Sequence, residues 1–255
     1  MEQKESSTIE QGEAQKPQSS LQKKKGRSKK SMDLGKGPIL PLILRFALPA
    51  IYSYFISELY NMVDTYYVGN EVGANAIGAL GTVFPIQRII IALSLLLAFG
   101  TSNRIAFFLG QKNHIEAEKT ASAGLILNVL IMLPYTLLIY FFRLDIIPFL
   151  GAKDALLAPA SEYVSIIIWG GVFLTLGTTM VRIILTLGHA GLSVVLTSLG
   201  AVINIIVDEI LVRHRGMGIE GAAYATLLSQ VLSFLITLVF YIAITKKMHF
   251  KFRPN

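Results

Sequence analysis

The chain alternates between long apolar runs and short polar connections. Six of the runs reach the roughly 20 residues that a helix needs to cross a bilayer. They are Ile39 to Val68, Ala76 to Ser102, Lys119 to Phe142, Ser161 to Leu187, Gly191 to Val212 and Ile219 to Ala243. The pattern therefore predicts an all-α polytopic membrane protein with six transmembrane helices.

The polar ends of the chain set its predicted organisation and orientation. Residues 1–37 are almost free of apolar side chains, which predicts a disordered tail. We expect residues 38–247 to form the membrane lobe and residues 248–255 to form a short polar end. The first apolar run is too long for a signal peptide, so we expect no cleavage. Lys and Arg concentrate in the tail, between the second and third runs, and at the end, which predicts that both termini are cytoplasmic.

Composition agrees with this picture and excludes other classes. Hydrophobic residues make up 53% of the chain, charged residues 15%, and cysteine is absent, which excludes disulfides and thiol catalysis. The net charge of +7 also suits nucleic-acid binding, but the basic residues flank the apolar runs. Membrane topology explains them more economically, so we expect a lipid bilayer and no nucleic acid as partner.

Two acids lie at matching places in the first and fifth runs. Asp64 and Asp208 each stand four residues before the end of a segment that runs outward, so they are predicted to share one depth. Tyr60 and Asn204 lie one turn deeper on the same helical faces, and Thr226 is the eighth residue of the returning sixth segment. A carboxylate near hydrocarbon costs about 3 kcal/mol on insertion scales, so a functional role is the default interpretation.

These five residues predict a cluster of oxygen ligands for a cation or for shared protons. Two carboxylates in a poorly solvated pocket repel each other, and a bound cation or proton relieves that repulsion. The alternative is that both acids are helix ends among the outer headgroups. Glu58 and Arg88 lie at comparable depth in the first and second segments, which suggests an intramembrane ion pair.

The remaining motifs argue against an enzyme. The sequence contains no P-loop, no HExxH and no nucleophile elbow, so we expect no catalytic residues, no cofactor and no metal beyond Na+ at the coupling site. In the connection after the second segment, Gly110 is predicted to close the helix with positive φ.

Three stretches together resemble multidrug and toxin extrusion (MATE) transporters. They are Leu59-Tyr-Asn-Met-Val-Asp-Thr-Tyr-Tyr-Val-Gly69, Gly100-Thr-Ser-Asn-Arg104 with Leu109-Gly-Gln-Lys-Asn113, and Asn204-Ile-Ile-Val-Asp208 leading to Gly216-Met-Gly-Ile-Glu-Gly-Ala-Ala-Tyr-Ala-Thr226. The resemblance implies one six-helix lobe of a MATE-like transporter of the MOP superfamily. It also implies a secondary antiporter that exports drugs or other cationic and amphiphilic compounds in exchange for Na+ or H+.

The resemblance assigns the cation site to the same five residues, Tyr60, Asp64, Asn204, Asp208 and Thr226. The sequence departs from the family in two ways, because members usually have twelve helices in two lobes and often carry Pro where Glu209 follows the acid. The missing half implies a second lobe or a homodimer partner. A truncated, non-transporting remnant or subunit and a lipid-precursor flippase of the same superfamily are the alternatives.

Overall fold

The computed structural model describes residues 73–253 continuously and only single positions or short runs before them. Those earlier positions, all helical, are Leu40, Leu44, Leu48, Ile51, Phe55, Glu58, Met62, Thr65, Tyr66 and residues 68–70. The first predicted segment, the predicted disordered tail and Pro49 therefore fall largely or wholly outside the described residues. Residues 1–43 and 44–255 form two separate units, and the helices of the lobe all belong to the second unit.

Within 73–253 all regular structure is helical. The helices are α1 (Ala74–Gly110), α2 (His114–Phe149), a 3-10 turn (Asp154–Leu156), α3 (Leu157–Thr186), α4 (Ala190–Asp208), a π-helical turn (Glu209–His214) and α5 (Gly218–Lys247). Each of α1–α5 coincides with one predicted segment. Helices α1, α2 and α5 extend beyond their segments at both ends, α3 ends one residue before the predicted end, and α4 passes into the π-helical turn at its C-terminal end. In this part of the chain, five helical stretches are long and apolar enough to cross a membrane, so the fold class is confirmed.

The prolines that would end helices in water lie inside these helices. Pro85 is inside α1, and Pro134 and Pro148 are inside α2, as expected where neighbouring helices satisfy the backbone groups that proline frees. At 37 residues, α1 is about 55 Å long and exceeds the roughly 30 Å of hydrocarbon in a bilayer.

Helix α3 is the centre of the lobe. It packs along α1, α2 and α5, and one core cluster of buried side chains, including Tyr163 and Ile168 of α3, joins these helices. Buried polar groups also bind across the helices, since the Thr179 hydroxyl donates to Asn128 Oδ1 at 3.2 Å. Such bonds and close packing hold helices together where lipid removes the hydrophobic driving force.

The connection between α1 and α2 corrects one prediction. Gly110 ends α1 without positive φ, and Lys112 takes the left-handed conformation instead, with φ of 59°. The side chain of Asn113 accepts a hydrogen bond from the Glu116 backbone at 3.2 Å and caps α2. The prediction that the helix ends at Gly110, before a polar turn, is confirmed, and only the positive φ expected at Gly110 was wrong, because the left-handed residue lies in the turn, at Lys112.

Candidate ion-coupling site

The C-terminal end of α4 buries an acid and an amide. Asp208 is the last residue of α4 and Asn204 lies one turn earlier, and both are 0% exposed. Both carboxylate oxygens of Asp208 are buried as well. Both residues therefore lie inside the bundle rather than on its surface, and whether the Asp208 carboxylate has a function stays a prediction.

The helix changes type directly after Asp208. Residues 209–214 form a π-helical turn, and the Arg215 amide donates to the Ile210 carbonyl at 3.1 Å. Short π-helical turns occur often at functional sites and cause kinks without proline. Although Glu209 rather than Pro follows the acid, the helix is irregular at this point, because Glu209 begins the π-helical turn.

Thr226 of α5 faces the same cluster. It is 3% exposed, and the Asn204 amide nitrogen donates to its hydroxyl at 3.5 Å, at the long limit of a hydrogen bond. Asn204 Oδ1 is buried and accepts no hydrogen bond from the residues that the structure describes. The structure thus brings Asn204 into contact with Thr226 and places the buried Asp208 one helical turn further along α4, and the joint role of these three predicted ligands stays a prediction.

The other two predicted ligands, Asp64 and Tyr60, lie outside the described residues. Their placement beside Asp208 stays a prediction. The described neighbour Val68 is fully buried and belongs to the core cluster that contains Val212 of the π-helical turn.

Glu58 and Arg88 lie in contact. Arg88 Nη1 donates to Glu58 Oε1 at 3.2 Å, and the two side chains are 59% and 58% exposed in the lobe. Both charges therefore stand on its surface rather than in its core. Their role within a membrane stays a prediction.

The chemistry of the buried cluster is that of hard oxygen ligands. A carboxylate, an amide oxygen and a hydroxyl suit small cations or a shared proton, as in helix-end ion sites of transporters. Among the described residues no group of three or more His, Cys, Asp or Glu side chains converges, so no transition-metal site forms there.

Sequence reasoning missed several polar residues near this cluster. Gln87 of α1 and Gln230 of α5 line a small cavity together with Thr226, and the Gln87 amide donates to the Tyr163 hydroxyl at 3.2 Å. The available signal was the spacing of Gln230, four residues after Thr226 on the same face of α5. Nothing in the spacing of α1 or α3 pointed to Gln87 or Tyr163.

Long apolar helices with internal prolines and a buried acid at a helix interruption are typical of a polytopic membrane protein. The MatE family model matches residues 49–210, more than half of the chain. The chain therefore belongs to the MatE family, whose members are transporters.

Relatives and solved structures agree with this assignment. The multidrug export protein MepA of Staphylococcus aureus strain MSSA476 is 26% identical over 208 residues, and MepA of Staphylococcus saprophyticus is 24% identical over 211 residues. Each alignment covers 81% of this chain and 46% of the relative.

Among solved structures, a MOP superfamily transporter from Pyrococcus furiosus has a TM-score of 0.74 at 29% identity, covering 80% of this chain and 45% of that chain. An inward-facing multidrug resistance MATE family transporter has a TM-score of 0.68 at 31% identity, covering 71% and 41%. The chain thus spans slightly less than half the length of the relatives that it matches.

Proposed function

We propose that this chain forms one lobe of an ion-coupled exporter of cationic or amphiphilic compounds, driven by Na+ or H+. The observation that carries the proposal is the fully buried Asp208 where α4 passes into a π-helical turn, one turn from Asn204, whose amide contacts Thr226. A buried carboxylate is stabilised when a cation or a proton binds to it. The fraction of Asp208 side chains that carry a bound cation or proton is therefore sensitive to an ion gradient.

The full proposed site adds Asp64 and Tyr60 from the first segment. Two acids with an amide and a hydroxyl offer enough oxygen ligands for a dehydrated monovalent cation. The same pair also suits proton exchange, because bringing two carboxylates together favours protonation of one of them. Na+ and H+ are both compatible with this proposal, and efflux measured under an imposed gradient of each ion distinguishes between them.

Export needs a second lobe in this proposal, since the matched transporters are about twice as long. That lobe is a second copy of this chain, a separate chain, or a further part of a longer chain to which this sequence belongs, and the proposed ligand cavity lies between the two lobes. The orientation with both termini in the cytoplasm of a bacterial cell, inferred from the distribution of Lys and Arg, belongs to the same proposal.

The test is reconstitution of the chain in vesicles loaded with ethidium, a fluorescent organic cation. The mass of the complex is measured in nanodiscs, and dye efflux is followed under an imposed Na+ gradient, an imposed pH gradient and neither. A dimer whose efflux follows one gradient supports the proposal and identifies the ion. A chain that stays monomeric and moves no dye favours the alternative, a subunit that does not transport alone.

A further inference from the structure

A small polar cavity lies beside the candidate ion-coupling site, between α1, α3 and α5. Its volume is about 40 Å³. Five apolar residues line it together with three polar ones, Gln87, Thr226 and Gln230. A cavity of this size has room for about three or four water molecules, at roughly 10–15 Å³ each, provided that polar partners are present.

Gln230 supplies an acceptor in this region. Its Oε1 atom is buried and accepts no hydrogen bond from the described residues. The amide lies directly against α3 at Gly170, where a methyl group would collide with Oε1. A buried amide oxygen left without a donor costs about 1–3 kcal/mol, so a rotation of the Gln230 amide that turns Oε1 from α3 toward water in the adjoining cavity is favourable.

Thr226 links the cavity to the ion-coupling cluster. Its hydroxyl has one proton to donate and two lone pairs, and it accepts from the Asn204 amide. If the second lone pair of the Thr226 hydroxyl faces a cation, the hydroxyl proton must point away from that cation. Thr226 also lines the cavity, which offers that direction.

We infer that the cavity holds ordered water, bound by Gln87 and Gln230, and that this water accepts the Thr226 proton. Gln87 and Gln230 are then positioning residues, because they act on a proposed cation through water and Thr226. The functional half of this inference rests on the proposed function, whereas the presence of water does not.

The first experiment detects the water directly and requires no transport. Radiolytic hydroxyl-radical footprinting of the full chain in nanodiscs oxidises side chains that touch bound water. Ile90 and Ile167 line the cavity and are 4% and 3% exposed, whereas Ile86 and Ile168 are 2% and 0% exposed and do not line it. All four are isoleucines of the core, so their intrinsic reactivity is matched.

We expect several-fold more oxidation at Ile90 and Ile167 than at Ile86 and Ile168. Equal oxidation of the two pairs overturns the inference whatever the transport assay shows. The variant Gln230→Leu should lower the labelling of Ile167 to that of Ile168, and Gln111→Leu in the exposed connection should leave it unchanged. Should Gln230→Leu not fold, the comparison within the unaltered chain still decides.

A second measurement addresses the functional half. Gln230→Leu should raise the cation concentration needed for half-maximal efflux while leaving the affinity for ethidium unchanged. Loss of labelling at Ile167 with unchanged cation dependence would mean that the cavity is hydrated but does not orient Thr226, which would overturn the functional half alone.

Discussion

The close approach of α1 and α2 at Gly124 predicts a large effect from a small substitution. A methyl group at Gly124 would collide with both branches of Thr101, and its distance to Thr101 Cβ would be 3.0 Å. Carbon atoms pack at about 3.5–4.0 Å, and rotation of a β-branched side chain cannot clear both branches. Gly124→Ala therefore forces the two helices apart by about half an ångström or more.

Gly177→Ala is the matched control for this substitution. Gly177 is also inside a helix, but its nearest neighbour is Phe234 Cα at 3.7 Å, an ordinary contact. Both substitutions gain the same helix propensity, about 1 kcal/mol, so their difference isolates the overpacking cost. That cost is about 1–3 kcal/mol, and Gly124→Ala should be less stable than Gly177→Ala by this amount.

The assay is reversible unfolding of both variants in mixed detergent micelles, followed by circular dichroism. Adding Thr101→Ala to Gly124→Ala removes both colliding branches and should recover most of the lost stability. Equal stability of the two single variants, or no recovery in the double variant, would refute the assignment of a tight α1–α2 contact at Gly124.

Two further predictions concern ion pairs. Arg253 Nε donates to the buried Glu118 at 2.5 Å. Arg253→Ala should therefore lower the free energy of local unfolding of residues 248–253 by about 3 kcal/mol, measured as faster amide hydrogen exchange. Lys251→Ala, at an exposed position, is the control and should leave the exchange unchanged. For the exposed pair of Glu58 and Arg88, each charge reversal alone should cost at most about 1 kcal/mol in detergent yet reduce efflux. The double charge swap should restore efflux, and a dead swap with two active single variants would contradict a role for the pair.

The hydrophobic pattern of the sequence was sufficient for the helices within residues 73–253. Each predicted segment falls on one helix, because an apolar run of this length has no other stable state in lipid. The ends were less predictable, since α1 extends eight residues past Ser102, through the polar Asn103 and Arg104 and a further short apolar stretch. The length of a helix outside the membrane depends on packing and capping rather than on hydropathy.

The candidate site was partly predictable from spacing. The spacing of four residues predicts that Asn204 and Asp208 lie on the same face of a helix. Counting residues along the neighbouring antiparallel segment predicts that Thr226 lies at a similar depth. Spacing gave no sign of the π-helical turn at Glu209, because its residues are ordinary helix formers. The cavity beside Thr226 was also unpredictable, since Gln87 and Gln230 meet only through the packing of α1, α3 and α5.

The most direct test of the proposed coupling is gradient-driven efflux in the variant Asp208→Asn. The substitution keeps the shape of the side chain and removes its charge, and Asp145→Asn at an exposed position is the matched control. Efflux of ethidium from vesicles is compared with and without the driving gradient, together with dye binding at equilibrium. We expect Asp208→Asn still to bind dye but to export it no faster with the gradient than without, while Asp145→Asn behaves as the unaltered chain. Full gradient-dependent efflux in Asp208→Asn would contradict ion coupling through this carboxylate.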